Sequence, residues 1–236
     1  MKPIYLWLSI LFLLPAWGTA STVRSGEKVN IDQPVADNLY LAGGEIYINA
    51  PIGGDLIAAG GQLQVKGPIG DDGLVAGGEL TFDAPVRGDL RVGGGQVTIR
   101  QNIGGDLVVM SGEVIITEGA TIGGDLMVLG GKIELRGTVQ GVIRVSGGAF
   151  ELRGNAVGGI EAQCGEIEIN AEVGVPSRLA AGNIDLGPNA VFTADVRYWQ
   201  EGGELDFGDR LRNGATATFD PSLKSSAGGW DADEFK

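Results

Sequence analysis

The sequence predicts an all-β fold, a single-stranded parallel β-helix (a solenoid) of about ten rungs of roughly 17 residues each. Three observations carry that prediction. Val35, Ile52, Ile69, Val86 and Ile103 stand 17 residues apart, and Ile122, Val139, Val157 and Val173 continue the series at spacings of 19, 17, 18 and 16. The same phrase follows several of them: Ile52-Gly-Gly-Asp-Leu56, Ile103-Gly-Gly-Asp-Leu107, Ile122-Gly-Gly-Asp-Leu126. After each phrase the chain alternates, breaks at Gly-Gly (Gly60-Gly61, Gly77-Gly78, Gly130-Gly131) and alternates again, as in Gln96-Val97-Thr98-Ile99-Arg100. Alternation at period two is the pattern of a half-buried strand.

Each repeat therefore reads as two short strands separated by a glycine turn, with a third short face around the leading Ile or Val. One rung offers about five apolar side chains, for example Ile103, Leu107, Val109, Val114 and Ile116. Their burial is worth on the order of 10 kcal/mol gross. Ordering each backbone residue costs roughly 1–2 kcal/mol, so a lone rung is unstable and stacking is obligatory. The inward positions Ile52, Leu56, Ala58, Leu63, Val65 and Ile69 do not follow a six-residue period. A left-handed β-helix would need one, so a right-handed coil is expected.

In chain order, residues 1–20 read as a secretory signal: Lys2, an apolar run from Ile4 to Leu14, Pro15, and small residues before a cleavage point after Ala20. The run is too short to span a bilayer as a helix. Residues 21–34 read as an N-terminal segment or cap, with Val29-Asn30-Ile31 as the capping element. Residues 35–208 form the repeat domain, whose last rung runs from Val191 to Phe207. Residues 209–223 are irregular and read as a C-terminal cap, and residues 224–236 as a loose tail.

Composition narrows the chemistry. Glycine contributes 42 of 236 residues, but at fixed phases, so it punctuates a fold rather than marking disorder. The net charge of −13 argues against nucleic acid as a partner. With no histidine, neither a Ser-His nor a Cys-His dyad can be built. Cys164 is the single cysteine and stands where other repeats carry glycine, so it reads as a small turn residue. No cofactor is implied, and nothing nominates a catalytic residue.

Two columns are the candidate sites. Asp55, Asp72, Asp89, Asp106 and Asp125 share one phase in five successive rungs. Stacked carboxylates about 4.8 Å apart invite a cation-binding ladder, with calcium the natural test ion. The competing reading is that each Asp accepts backbone N–H bonds within its own turn. The second column, Tyr40, Ile57, Leu74, Val108 and Met127, is outward-facing yet apolar, interrupted by Arg91. Ala42, Ala59, Ala76, Met110 and Leu129 run beside it. A contiguous apolar column suggests an assembly face, unless residues 21–33 or the C-terminal tail cover it.

The repeat, with Val or Ile, then Gly-Asp-Leu, then Gly-Gly and an alternating strand, resembles the bactofilin, or polymer-forming cytoskeletal, family across Val35 to Phe207. That resemblance implies a right-handed β-helix that polymerises end to end without nucleotide or metal and acts as a scaffold at the bacterial envelope. The best-known members are cytoplasmic, whereas the signal here implies export to the periplasm, envelope or exterior. The expected function is thus a non-enzymatic exported scaffold whose partner is another copy of itself, with envelope polysaccharide or membrane-associated proteins as further partners. The alternative is a monomeric module binding a surface or polysaccharide through its polar face (Gln64, Thr98, Glu134, Glu168). An enzyme acting on polysaccharide is the least favoured reading, because the turns are minimal.

Overall fold

Alternation within a repeat and identity between repeats force each strand to lie on its own copy. The computed structural model, which describes residues 21–228 and side chains through Lys224, has that architecture. In chain order the strands are β1 (Thr22–Ile31), β2 (Leu39–Ile48), β3 (Leu56–Val65), β4 (Gly73–Phe82), β5 (Leu90–Ile99) and β6 (Leu107–Ile116). The short β7 (Thr121–Ile122), β9 (Thr138–Val139), β11 (Asn155–Ala156), β13 (Glu172–Val173) and β15 (Val191–Phe192) then alternate with β8 (Leu126–Leu135), β10 (Ile143–Leu152), β12 (Ile160–Ile169), β14 (Ser177–Leu186) and β16 (Val196–Gln200). β17 (Ala217–Phe219) closes the series. All pairings are parallel, and the main sheet has 12 strands in sequence order, skipping the short ones. The expected β-helix is therefore the fold. No helix among the described residues is long and apolar enough to cross a membrane.

Two boundaries shift from expectation. The ladder holds 12 strands rather than about ten because each end adds one. Thr22–Ile31 is itself a rung, with Gly26 opposite Gly43, Val29 opposite Ile46 and Ile31 opposite Ile48. It lacks the Gly-Gly-Asp phrase, and so reads as a cap from sequence. At the other end Leu205–Phe207 does not form the second strand of its rung; a turn at Gly203 (φ 85°) diverts the chain, and β17 pairs with β16 instead. The tail assignment also changes at its start. Pro221–Gly228 is a 3-10 helix packed on β16, β14 and β12, so the chain turns back along the rod.

The Gly-Gly corner is not a break. Each long strand from β1 to β14 runs ten residues through it, and among the described glycines only Gly203, Gly208 and Gly214 have a positive φ. The glycines answer to the rung beneath. At Gly44, Gly61, Gly78, Gly95, Gly112, Gly131, Gly148, Gly165 and Gly182 a Cβ would lie 2.5–2.9 Å from the carbonyl oxygen one turn back. Glu27 holds this phase in β1, where no described rung lies beneath it. At the other corner position Ser111, Cys164 and Ala181 replace glycine, and all three are buried. Cys164 is thus the small corner residue expected, and burial pushes its thiol pKa up to about 11.

The core is a bundle of columns. Leu56, Ala58, Leu63, Val65 and Ile69 are buried within one turn, and their counterparts repeat along the rod. The third face consists of single bridges, Val35 to Ile52 to Ile69 to Val86 to Ile103 to Ile122, continued by β7, β9 and β11.

Candidate functional site

The aspartate column is a chain of hydrogen bonds between turns. The Asp55 N–H donates to Asn38 Oδ1 at 2.9 Å, Asp72 N–H to Asp55 Oδ1 at 3.1 Å, and Asp89 N–H to Asp72 Oδ1 at 2.8 Å. Asp106, Asp125 and Val142 continue it, each N–H reaching the preceding carboxylate at 2.8–2.9 Å. The expected turn role is therefore displaced by one rung: the acceptor serves the next turn, not its own. Glycine leaves room for the carboxylate at five of the six bonds. A Cβ on Gly54, Gly88, Gly105, Gly124 or Gly141 would sit 2.0–2.3 Å from the Oδ1 of the preceding turn's Asn or Asp. The Gly-Asp pair is a lock, in which one turn's Asp occupies the space left by the next turn's Gly. One turn departs from the pattern and keeps the bond. Asp71 stands where the glycine should be, and the bond above Asp55 is the longest of the series at 3.1 Å.

One oxygen per carboxylate is thereby committed. The second oxygens of Asp89 and Asp125 face Arg91 at 3.1 Å and Arg144 at 3.0 Å. Among the described residues no group of three or more acidic, His or Cys side chains is arranged to hold a metal ion.

The apolar column is assembled by register. Val23 lies opposite Tyr40, Tyr40 opposite Ile57, Ile57 opposite Leu74, and Leu74 opposite Arg91, with Val108 and Met127 following. The parallel column runs Ser25, Ala42, Ala59, Ala76, Gly93, Met110, Leu129. Tyr40 and Leu74 (56 %) are exposed, with Met110 (61 %) and Leu129 (50 %) beside them, whereas Ile57, Val108 and Met127 are half-buried, so the expected outward face is only partly open. Residues 21–31 do not lie over this flank, because they form its first rung.

Further up the same flank the character changes. The column becomes Arg144, Glu161, Arg178, Arg197, tied by ion pairs from Glu161 to Arg144 (3.4 Å) and Arg178 (3.5 Å) and from Arg197 to Asp220. Pro221–Gly228 packs here, Lys224 Nζ lies 5.4 Å from the Trp199 ring, and Ala180 is buried although Ala42, Ala59 and Ala76 at its phase are exposed. An open groove of about 520 Å³ lies at Arg144, Arg178 and Arg197 over the glycine floor Gly158-Gly159.

The polar face is largely self-satisfied. Gln64 donates to Asp83 at 2.7 Å, Arg100 reaches Asp83 at 2.8 Å, and Glu134 is held by Arg136. Burial pushes the Asp83 pKa up, but the Gln64 and Arg100 hydrogen bonds, with the Arg100 charge, outweigh it and hold the carboxyl below its ordinary value.

The two ends differ. In β1, Thr22 and Arg24 occupy the core-facing phases of Leu39 and Leu41, and Arg24 is exposed. At the other end Phe207 packs against Phe192 (5.3 Å) and Tyr198 (5.1 Å), and Tyr198 against Phe219 (5.7 Å). The Tyr198 hydroxyl accepts the Leu205 N–H at 2.9 Å. Sequence reasoning missed this aromatic lid, although the cluster of Phe192, Tyr198, Phe207 and Phe219 after an aromatic-poor rod was a visible signal.

No family model, curated protein or solved structure matches the chain.

Proposed function

We propose that the chain is an exported, non-enzymatic structural scaffold of the cell envelope that self-assembles, as its bactofilin-like repeat implies, with the ends of the β-helix as contact surfaces. The observation that carries this reading is β1. Among the described residues it is the outermost strand of the sheet, a ten-residue parallel edge with no strand beyond it. Such an edge is a template for pairing with another chain. Export rests on the signal-like residues 1–20, which lie outside the described residues. A non-enzymatic role is supported by the lack of histidine and by the short turns.

A second reading has its own support. Thr22 and Arg24 at core-facing phases blunt the first rung, and the aromatic lid with β17 covers the last. Blunted ends suit a monomeric module that binds a surface or polysaccharide. Negative-stain electron microscopy of residues 21–236, without nucleotide or metal, separates the two. Filaments with an axial repeat near one rod length, about 55 Å for 12 turns, are expected for the scaffold. Dispersed single rods at high concentration would favour the module.

A further inference from the structure

We infer that the groove at Arg144, Arg178 and Arg197 is a binding site for a neutral glycan. The inference rests on the polysaccharide-binding reading and gives that reading a different site, away from the polar face of Gln64, Thr98, Glu134 and Glu168.

The groove exists because the aspartate column is interrupted. After Asp125 the same phase holds Val142, Gly159 and Pro176, and an acid returns only at Asp195. Over those three turns no carboxylate fills the space beside the strands. Gly159 leaves it open, since a Cβ there would meet only Pro176 and Val142, at 3.6 and 3.9 Å. The ladder of hydrogen bonds stops at the same place. Asp125 Oδ1 still accepts the Val142 N–H at 2.8 Å, but Val142 offers no side-chain oxygen to Gly159, and Pro176 offers none to Asp195. Among the described residues the Gly159 and Asp195 N–H groups therefore find no acceptor, and both residues line the groove. Pro176 has no N–H to satisfy, so it fits above a glycine that could not serve one. A ligand carrying hydroxyl oxygens supplies the acceptors that the column lacks here.

The walls are polar but balanced. Asp125 faces Arg144 at 3.0 Å, Glu161 lies 3.4 Å from Arg144 and 3.5 Å from Arg178, and Asp220 holds Arg197. Three guanidinium groups thus meet three carboxylates, and Asp195 adds another whose Oδ1 already accepts the Thr216 N–H and hydroxyl. A lining with no surplus of positive charge, in a chain of net charge −13, does not select an anion. It does set held donors and acceptors in alternation along the rod, as Arg144, Glu161 and Arg178. A sugar hydroxyl both donates and accepts, so neighbouring hydroxyls match that row while the apolar ring faces rest on Val142 and Pro176. The turns stack ~4.8 Å apart, close to the advance per unit of an extended chain of pyranose rings. A peptide fits less well, because β10, β12, β14 and β16 are each paired on both sides and leave no edge for an added strand. The groove, at about 520 Å³, lies within the roughly 300–1,000 Å³ of small-ligand sites and admits a short run of hexose units.

The test is isothermal titration calorimetry of residues 21–236 with neutral hexasaccharides: cellohexaose, maltohexaose, mannohexaose and N-acetylated chitohexaose. Hexagalacturonate is the anionic comparison. At least one neutral probe is expected to bind, and more tightly than hexagalacturonate. Gly159→Leu fills the floor; Gly159 has no positive φ and its Cβ contacts are ordinary, so the fold is kept, and an unchanged melting temperature verifies this. Arg178→Ala removes one wall without touching the backbone. Each variant is expected to weaken binding about tenfold or more. Thr98→Ala, on the polar face, is expected to change it less than about twofold. Loss in Thr98→Ala, with Gly159→Leu and Arg178→Ala unaffected, would overturn the groove and keep polysaccharide binding through the polar face. Tighter binding of hexagalacturonate would rule out the neutral ligand. No binding by any probe would remove the groove and the polysaccharide-binding reading together, leaving the scaffold reading intact.

Discussion

The Asp55–Asp125 column and the Tyr40–Met127 column climb the same turns side by side, one residue per turn, and share an ion pair at Asp89–Arg91. From sequence the first reads either as a cation ladder or as a set of turn acceptors, and the second as an assembly face. Their surroundings set the two apart. Every Oδ1 of the acidic column is engaged by the N–H of the turn above, and glycine clears the space it needs. The apolar column is uneven: Ile57, Val108 and Met127 are half-buried, whereas Leu74 and, beside the column, Met110 remain more than half exposed. A residue repeated along a solenoid is thus of two kinds, one recruited by the next turn, as Asp106 is, and one left to solvent, as Leu74 is.

The widest test of this contrast uses glycine. Gly131→Ala puts a Cβ about 2.7 Å from the Gly112 carbonyl oxygen, whereas Gly93 on the flank has nothing within 4 Å. Urea denaturation is expected to show a loss of about 3 kcal/mol for Gly131→Ala and a change within about 0.5 kcal/mol for Gly93→Ala. Equal losses would mean that glycine is needed at both sites for backbone reasons, and the contrast would collapse.

A smaller effect is expected in the lock itself. Asp106→Ala removes the acceptor of the Asp125 N–H, at a cost of about 1 kcal/mol. Asp106→Asn keeps an Oδ1, as Asn38 already does for Asp55, and should stay within about 0.5 kcal/mol of the parent. If Asn proved as costly as Ala, the negative charge rather than the hydrogen bond would be what the column needs.

The mildest effect concerns pH and the covered end of the rod. The backbone and hydroxyl of Thr216 hydrogen-bond Asp195 and hold its carboxyl below the ordinary 3.8; Ser222 and Arg197 do the same for Asp220. A depressed carboxyl contributes stability that is present above its unfolded pKa and lost as pH falls through the folded one. Acidification below about 3.8 should therefore loosen Thr216–Ser222. Hydrogen exchange at Thr216 and Ser222 should accelerate there before that of β3 to β8. Uniform acceleration along the rod would show that this end holds no separate acid-labile contacts.

The sequence by itself determined the fold class, the repeat length, and which residues of the long strands face in or out; on the short third face it misplaced two, since Ala156 and Phe192, not Val157 and Val191, take the inward column. Those follow from two periods that need no partner to be read, alternation at two and recurrence at 17, and a chain obeying both has one way to bury its apolar side chains. The apolar column was legible for the same reason. What only the tertiary structure decided lies between turns. That the Gly-Gly glycines yield to a carbonyl below, that Asp106 serves Asp125, that Thr22–Ile31 is a rung, and that Pro221–Gly228 folds back onto β16, β14 and β12 are contacts between residues far apart in the chain. Local pattern cannot supply them, because a glycine required by its own φ and one required by its neighbour's oxygen are the same letter. An aspartate that caps its own turn and one that pins the next are likewise told apart only when the turns are stacked.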